Sequence, residues 1–354
     1  MSRSAREGTR LARLVRMAIP FCRQAERACR RHGPGAPPTF ADWQIAILIM
    51  VAVMARRKSK RAQYHYLLAR RRQLIEWLDL PRFPGRSTYC ERYRRAFPLL
   101  QWAVLLQGRR AIAEDLVDPT VVAVDKSLVR ARGRPWHRRH GRPCKRKKGT
   151  DGEAGWTYSE HHGWVYGYSF EVVVSASQRS AVFPLDVTAG PANRNEARSF
   201  ASRIEQLPRE TRYVTADAGY DTNALAEAVE YNQEGQASGR RLLCPLQGRA
   251  GKPKVGQYPH RGQRERRRRH RARRWVFYRS PKGRRLYKRR HKTVEPFNEW
   301  FKAKFELDER VWHRGEANNA TQIAAAMFAY QVLFRYHQRN GGNNGSIQWI
   351  LDAL

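Results

Sequence analysis

From Thr120 onward the chain carries short runs rich in β-branched and aromatic residues: Thr120 to Val124, Trp164 to Ser175, Ala181 to Thr188 and Arg212 to Thr215, with Leu242 to Leu246 as a fifth candidate. Helical stretches fall between and after them, at Arg194 to Leu207, Asp221 to Tyr231 and Val294 to Leu307. Three strands in succession, then helix, strand and helix, predict an α/β sheet with flanking helices. Among such sheets the order matches the ribonuclease-H type.

Residues 1–115 read as a separate helical, DNA-binding domain. Thr39 is placed to cap a helix that opens at Ala41-Asp42-Trp43 and continues through the apolar run Trp43 to Met54. That run has 12 residues, well short of the ~20 that span a bilayer, so it reads as a buried helix and no membrane is expected. Leu67, Leu68, Leu74, Ile75, Trp77 and Leu78 then recur at roughly helical spacing before Pro81, and Pro84-Gly85 makes a turn. Ser87 or Thr88 is expected to cap a short helix bearing Arg92, Arg94 and Arg95. Two readings stand: a helix-turn-helix whose last helix enters the DNA major groove, or a helical bundle with solvated arginines. The Arg-rich, acid-poor start, Met1 to Arg31, imitates a transit peptide but lacks a signal-peptide core, and is read as a frayed or nucleic-acid-facing helix.

The formal charge is +38 over 354 residues, with 69 Lys and Arg against 31 Asp and Glu. A small-metabolite enzyme does not need such a field; a polyanionic partner does, and binding should weaken steeply with salt. Two basic stretches interrupt the α/β pattern. Arg130 to Lys148 holds ten Lys and Arg and no acid, and Arg261 to Arg274 holds nine arginines and one glutamate. Both are expected to be loops that order on DNA, forming insertions at 130–148 and 250–290 of a catalytic domain spanning 116–340, with 341–354 as a tail. Trp275, Phe277 and Tyr278 beside the second run could stack an unpaired base, although alternating Trp-Val-Phe favours a strand. Five cysteines at 22, 29, 90, 144 and 244 are odd in number and irregular in spacing, which argues for reduced thiols in a cytosol.

Against this charge three acids stand out. Asp125 follows Val-Val-Ala-Val and Asp217 follows Tyr-Val-Thr-Ala, so each is expected at the carboxyl end of a strand. Adjacent strand ends converge two acids even though they lie 217 − 125 = 92 residues apart. Glu295 is expected in the first turn of a helix, where Pro296 is tolerated. Val294, Phe297, Phe301 and Phe305 form its apolar stripe, and Glu295, Glu299 and Lys302 share a neighbouring face. Three converging oxygen donors suit Mg²⁺ or Mn²⁺, and a pair of such ions activates the attacking oxygen and stabilises the leaving one in in-line phosphoryl transfer. Singly, an Asp after a strand is more often a turn-former; it is the combination that points to chemistry.

These blocks resemble those of the DDE transposases of bacterial insertion sequences. Asp217-Ala-Gly-Tyr-Asp221 is similar to that family's second-aspartate block, Val294-Glu295 with Lys302 to its glutamate block, and His162-Gly163-Trp-Val-Tyr-Gly167-Tyr168 to the strand after the first aspartate. The likeness covers about residues 39 to 339. It implies a ribonuclease-H-like core, metal-dependent nicking at terminal inverted repeats, and transfer of the freed 3′-hydroxyl to target DNA. It further implies a homodimer assembled on double-stranded DNA in the bacterial cytoplasm at the nucleoid. By position Asp125, Asp217 and Glu295 become the catalytic metal ligands and Lys302 a phosphate contact, preferred to Glu299 as the acid because Glu295 directly follows the valine. Tyr287 and Arg290 resemble the tyrosine-arginine-glutamate-lysine signature of one subgroup. Arg290, however, precedes Glu295 by five residues where the pattern wants four, and His291 holds that place.

Other readings compete. His137, His140 and Cys144 have loose zinc spacing without a fourth ligand. His161-His162 is read as a packing or phosphate-contacting pair, Asp221 as the cap of the following helix, and Asn318-Asn319 as another cap. A transposase-derived repressor or architectural protein without catalysis, or a nuclease of the same fold, would share the charge and the core.

Overall fold

The computed structural model describes residues 3–29, 38–136, 138–139, 142–143, 149–178, 180–232, 234–247, 263–342 and 347–354. Six helices come first: α1 (Arg3–Cys29), α2 (Asp42–Met54), α3 (Lys60–Ala69), α4 (Arg71–Leu78), α5 (Arg86–Arg95) and α6 (Phe97–Ala113). Every residue of α2 from Trp43 to Met54 is buried, as expected of a helix that is apolar all round. The α1 helix is not frayed: Leu11, Leu14, Val15, Ala18 and Cys22 are buried against the other helices, while Arg13, Arg16, Arg23 and Arg27 are exposed.

Helix ends differ from the sequence expectation. Ala41, not Thr39, is the N-cap of α2, and Glu26 from α1 accepts from the Asp42 and Trp43 amides at 2.6 and 3.3 Å. Gly85, not Ser87 or Thr88, precedes α5. The single helical pattern before Pro81 is broken at Arg70 into α3 and α4.

The sheet follows. Its strands are β1 (Val121–Arg130), β2 (Arg138–Arg139), β3 (Arg142–Pro143), β4 (Gly155–Ser159), β5 (Gly163–Ser175), β6 (Pro184–Pro191), β7 (Tyr213–Thr215) and β8 (Arg241–Leu243), with β2 and β3 forming a separate minimal hairpin. The main sheet runs β5-β1-β7-β8, and the long β5 carries β4 and β6 on its outer edge. β5 runs antiparallel to both β1 and β6, whereas β7 and β8 run parallel to β1. This mixed sheet with flanking helices is the ribonuclease-H-like arrangement expected. The β4 strand was missed, being a short and half-exposed run. At Gly167 only glycine fits, because a Cβ there would run into the Val129 carbonyl of β1.

The helices α7 (Glu196–Ala201), α8 (Asn223–Glu230), α9 (Gln263–Arg279), α10 (Pro281–Lys304), α11 (Glu316–Arg339) and α12 (Gln348–Leu351) complete the chain. The α11 helix, buried from Asn319 to Tyr336, packs on both the N-terminal helices and the sheet, so both share one continuous core. Its cap is Gly315, and Asn319 instead bonds back to the carbonyls of His313 and Gly315. The tail from 347 is docked: Ile347, Ile350 and Leu351 are buried and Tyr66 Oη donates to the Leu354 carbonyl. Among the described residues no helix is long and apolar enough to cross a membrane.

Candidate active site

Parallel pairing explains how two aspartates 92 residues apart meet. Val121, Val122 and Ala123 of β1 stand opposite Tyr213, Val214 and Thr215 of β7, an offset of 213 − 121 = 92, the spacing that separates Asp125 from Asp217. Asp125 is not at the end of its strand. β1 runs on to Arg130 because β5 stays paired with it from Asp125↔Val172 to Arg130↔Gly167, while β7 stops at Thr215 and opens the other edge beside Asp125. Asp217 lies just past that stop and caps a 3₁₀ turn, Ala218–Tyr220, with Oδ1 accepting from the Gly219 amide at 2.9 Å.

The third acid arrives on α10. This helix starts at Pro281 behind a Ser280 cap, so Glu295 and Pro296 lie in its middle and not in its first turn. Pro296 brings no N–H, which leaves the Lys292 carbonyl without its usual helical donor. Val294, Phe297 and Phe301 are buried, and Phe301 meets Phe170 of β5 edge to face at 5.5 Å. That contact seats the helix across β1. Arg290 Nη2 then donates to Asp125 Oδ1 at 2.6 Å and Nη1 to Glu295 Oε1 at 2.5 Å, while Asn298 Nδ2 donates to Asp125 Oδ2 at 2.9 Å. One guanidinium therefore joins two of the three acids. Burial pushes the Asp125 carboxyl up to about 6 against the pull of Arg290, with Asp217 and Glu295 adding to the rise.

The remaining candidates fall around this centre. Lys302 is buried and pairs with Glu299 at 2.8 Å, while Glu299 itself is largely exposed and Glu295 is the acid tied to Asp125. Asp125, Glu295, Asn298, Lys302 and the hairpin-tip residues Ser159, His161 and His162 line a groove of about 360 Å³. Tyr287 packs edge to face on His291 at 5.4 Å, and burial raises its phenol to about 12. On α5, Arg92 is held by Asp42 at 2.5 Å and by the Phe40 carbonyl, Arg95 pairs with Glu91 on the surface, and Arg94 is exposed. His137, His140, Cys144 and the centre of the basic stretch 130–148 lie outside the described residues.

Several residues stand differently from the sequence expectation. From Gln263 the second arginine run is helical, and Trp275 to Tyr278 belong to that same helix, not to a strand or loop. Asp221 does not cap α8, a role taken by Thr222; it is buried and pairs with Arg271 and Arg274 of α9 at 3.1 and 3.2 Å. Glu196, in the first turn of α7, lies against the Asp217 turn, where a side chain in place of Gly219 would strike its carboxylate. Burial raises Glu196 to about 7, with Asp217 adding to the rise. Asn298, three positions after Glu295, shared no pattern with the acids and had no local signal.

Asp125, Asp217 and Glu295 are hard oxygen donors of the kind Mg²⁺ and Mn²⁺ take. Asn298 Oδ1, buried beside them, has no hydrogen-bond partner. Among the described residues no three His, Cys, Asp or Glu side chains stand close enough together to hold an ion; the Arg290 guanidinium sits between two of them instead. The donor chemistry fits a divalent cation, and Arg290 meets the same electrostatic demand with a fixed charge.

The family model described as transposase DDE domain matches residues 117–332, more than half of the chain. Among solved structures, the chain is similar to piggyBac transposase in a synaptic complex with hairpin DNA, at 11% identity and a TM-score of 0.41, covering 96% of this chain and 76% of that one. It is also similar to Mos1 transposase in a pre-cleavage transpososome, at 11% identity and a TM-score of 0.19, covering 86% and 81%. A Mos1 paired-end complex with left transposon end gives 11% identity and a TM-score of 0.20, covering 90% and 83%. No curated protein matches.

Proposed function

Because the chain belongs to the transposase DDE domain family, we propose that it binds the terminal inverted repeats of a mobile element, cleaves strands there and transfers the 3′-hydroxyl to target DNA. The observation that carries this reading is that β1–β7 pairing brings the Asp217 turn beside Asp125 while the Arg290 guanidinium ties Asp125 to Glu295, at a groove that Asp125, Glu295 and Lys302 line.

Asp125, Asp217 and Glu295 would hold Mg²⁺ or Mn²⁺, as a pair of ions, and the chemistry so supplied is neutralisation of phosphoryl charge and activation of the attacking oxygen. The chain's own groups do the rest. Asn298 fixes one oxygen of Asp125 and leaves the other to Arg290. Lys302 places an ammonium in the groove for a non-bridging phosphate oxygen, and Arg290 is positioned to exchange its carboxylate partners for a phosphate. Exposed Arg94 and Arg95 on α5 supply contacts to the DNA backbone, with Arg92 holding that helix against α2. Assembly as a homodimer on DNA in the bacterial cytoplasm belongs to the same proposal.

The test is a gel assay on a labelled fragment carrying the gene's flanking inverted ends, with a target plasmid and Mg²⁺. Asp125→Asn, Asp217→Asn and Glu295→Gln should each abolish nicking and joining while leaving DNA binding intact or tighter. Full activity in any one of them removes that residue from the site. A second reading, a catalytically silent DNA-binding repressor, is favoured by the Arg290 bridge between Asp125 and Glu295; binding without cleavage by the unmodified protein would select it.

A further inference from the structure

Two large aromatic side chains stand almost bare on the β4–β5 hairpin. Trp164 is 68% exposed and Tyr158 61%, well beyond what a scattered surface residue of an otherwise well-packed chain requires. They are Cα partners across the hairpin, as are Trp156 and Tyr166 one step inward, so the four rings occupy one face. The inner pair is anchored: Tyr166 is buried and donates to the Asp151 carbonyl, and Trp156 Nε1 donates to the Trp136 carbonyl at 2.9 Å. The outer pair holds itself, Tyr158 meeting Trp164 edge to face at 5.6 Å and 68°. The platform is built, and its outer end is left open.

Its position supplies the occupant. Alternation along β5 places Trp164 on the same sheet face as Val172, the partner of Asp125. The turn between Tyr158 and Trp164 carries His161 and His162, which line the groove with Asp125, Glu295 and Lys302. A DNA strand whose phosphate lies at the acids therefore has a neighbouring nucleotide at the hairpin tip. Bases are stacked in a duplex and meet an aromatic side chain only after leaving it, and an open ring pair offsets the lost stacking.

We infer that Trp164 and Tyr158 form a stacking platform for an unpaired DNA base next to the strand held in the acid groove, an inference that rests on the DNA-processing reading above. The test uses the full chain in EDTA with two probes: a blunt duplex, and the same duplex with a short 3′ overhang containing 2-aminopurine. The unmodified protein should prefer the overhang probe and quench its fluorescence. The double variant Trp164→Ala with Tyr158→Ala should lose the quenching and weaken on the overhang by roughly ten-fold while binding the blunt duplex unchanged, and Trp164→Phe should retain most of both. A double variant that keeps preference and quenching, or an unmodified protein with neither, overturns the platform. So does unchanged DNA binding accompanied by loss of a dimer in sedimentation, which makes the face a protein contact. Failure of the unmodified protein to bind either probe instead overturns the DNA reading on which the platform stands.

Discussion

Glu171 offers a quantitative test of how the Asp217 turn is held. It lies on β5 opposite Lys126, is 6% exposed, and accepts from Tyr220 Oη at 2.7 Å. Tyr220 closes the turn that Asp217 caps, so this bond ties the second aspartate to the centre of the sheet. Burial raises the Glu171 carboxyl from 4.5 to about 8, outweighing the bonds from Tyr220 and Ser199 that lower it. The folded protein thus keeps this group protonated where the unfolded chain has released its proton. The stability it contributes is fully present below the unfolded value near 4.5 and is lost as pH rises through 8.

In that window the unfolded state holds one proton fewer, and stability falls by about 1.4 kcal/mol per pH unit. Glu171→Gln keeps the shape and the acceptor for Tyr220 but removes the titration. Urea unfolding of both proteins at pH 5 and pH 8 should show the variant gaining about 4 kcal/mol on the parent between the two. All other titrating groups, Glu196 and Asp125 included, cancel in this difference to first order. Parallel pH dependence in the two proteins would refute the reasoning, because it would mean that Glu171 is already ionised in the fold.

Arg290→Gln leaves Asp125, 14% exposed, without its cation and should destabilise by about 3–5 kcal/mol, the usual consequence of stranding one buried charge. Mg²⁺ or Mn²⁺ should raise the melting temperature of this variant more than that of the parent; no such effect would count against the acids as a cation site. Phe301→Ala removes a fully buried ring packed against Phe170, Phe297 and Phe305 and should cost about 3–5 kcal/mol in urea titration. A loss below about 1 kcal/mol would mean that something other than this stripe seats α10.

What the sequence disclosed was whatever short-range periodicity encodes. The runs at Trp164 to Ser175 and Arg212 to Thr215 match β5 and β7 closely, because strands buried on both faces are written as continuous β-branched segments. The arginine run before Trp275 was opaque for the opposite reason. Its charge is answered by acids far away in sequence: Arg267 by Glu227, His270 by Glu230, and Arg271 and Arg274 by Asp221. A segment whose like charges repel locally becomes helical when α8 and the turn before it supply the counter-charges, and no window of neighbouring residues contains that information. Trp275 and Phe277, which look like alternate strand positions, lie on this helix, where Trp275 and Tyr278 stack at 5.9 Å as neighbours three apart.

The irregular spacing before Glu295 shows how side chains on one helix keep contact with the sheet when a pattern slips by one residue. Residues four apart on a helix share a face, whereas residues five apart diverge by about 140° around the axis. His291, at the four-residue place, accordingly meets Glu295 directly, with Nδ1 3.0 Å from Oε1. Arg290 is turned instead toward the sheet, where it is 5% exposed and finds Asp125. Its side chain is long enough that the second nitrogen still reaches Glu295, so the offset residue bridges β1 and α10 in a way a residue on the Glu295 face would not. Asn298, three residues beyond Glu295, reaches the other oxygen of the same aspartate, and α10 thereby grips Asp125 from both sides. The one-residue displacement from the subgroup pattern is thus compatible with a closed network around Asp125: the helix needs only that a cation face the sheet one step before a residue facing the groove.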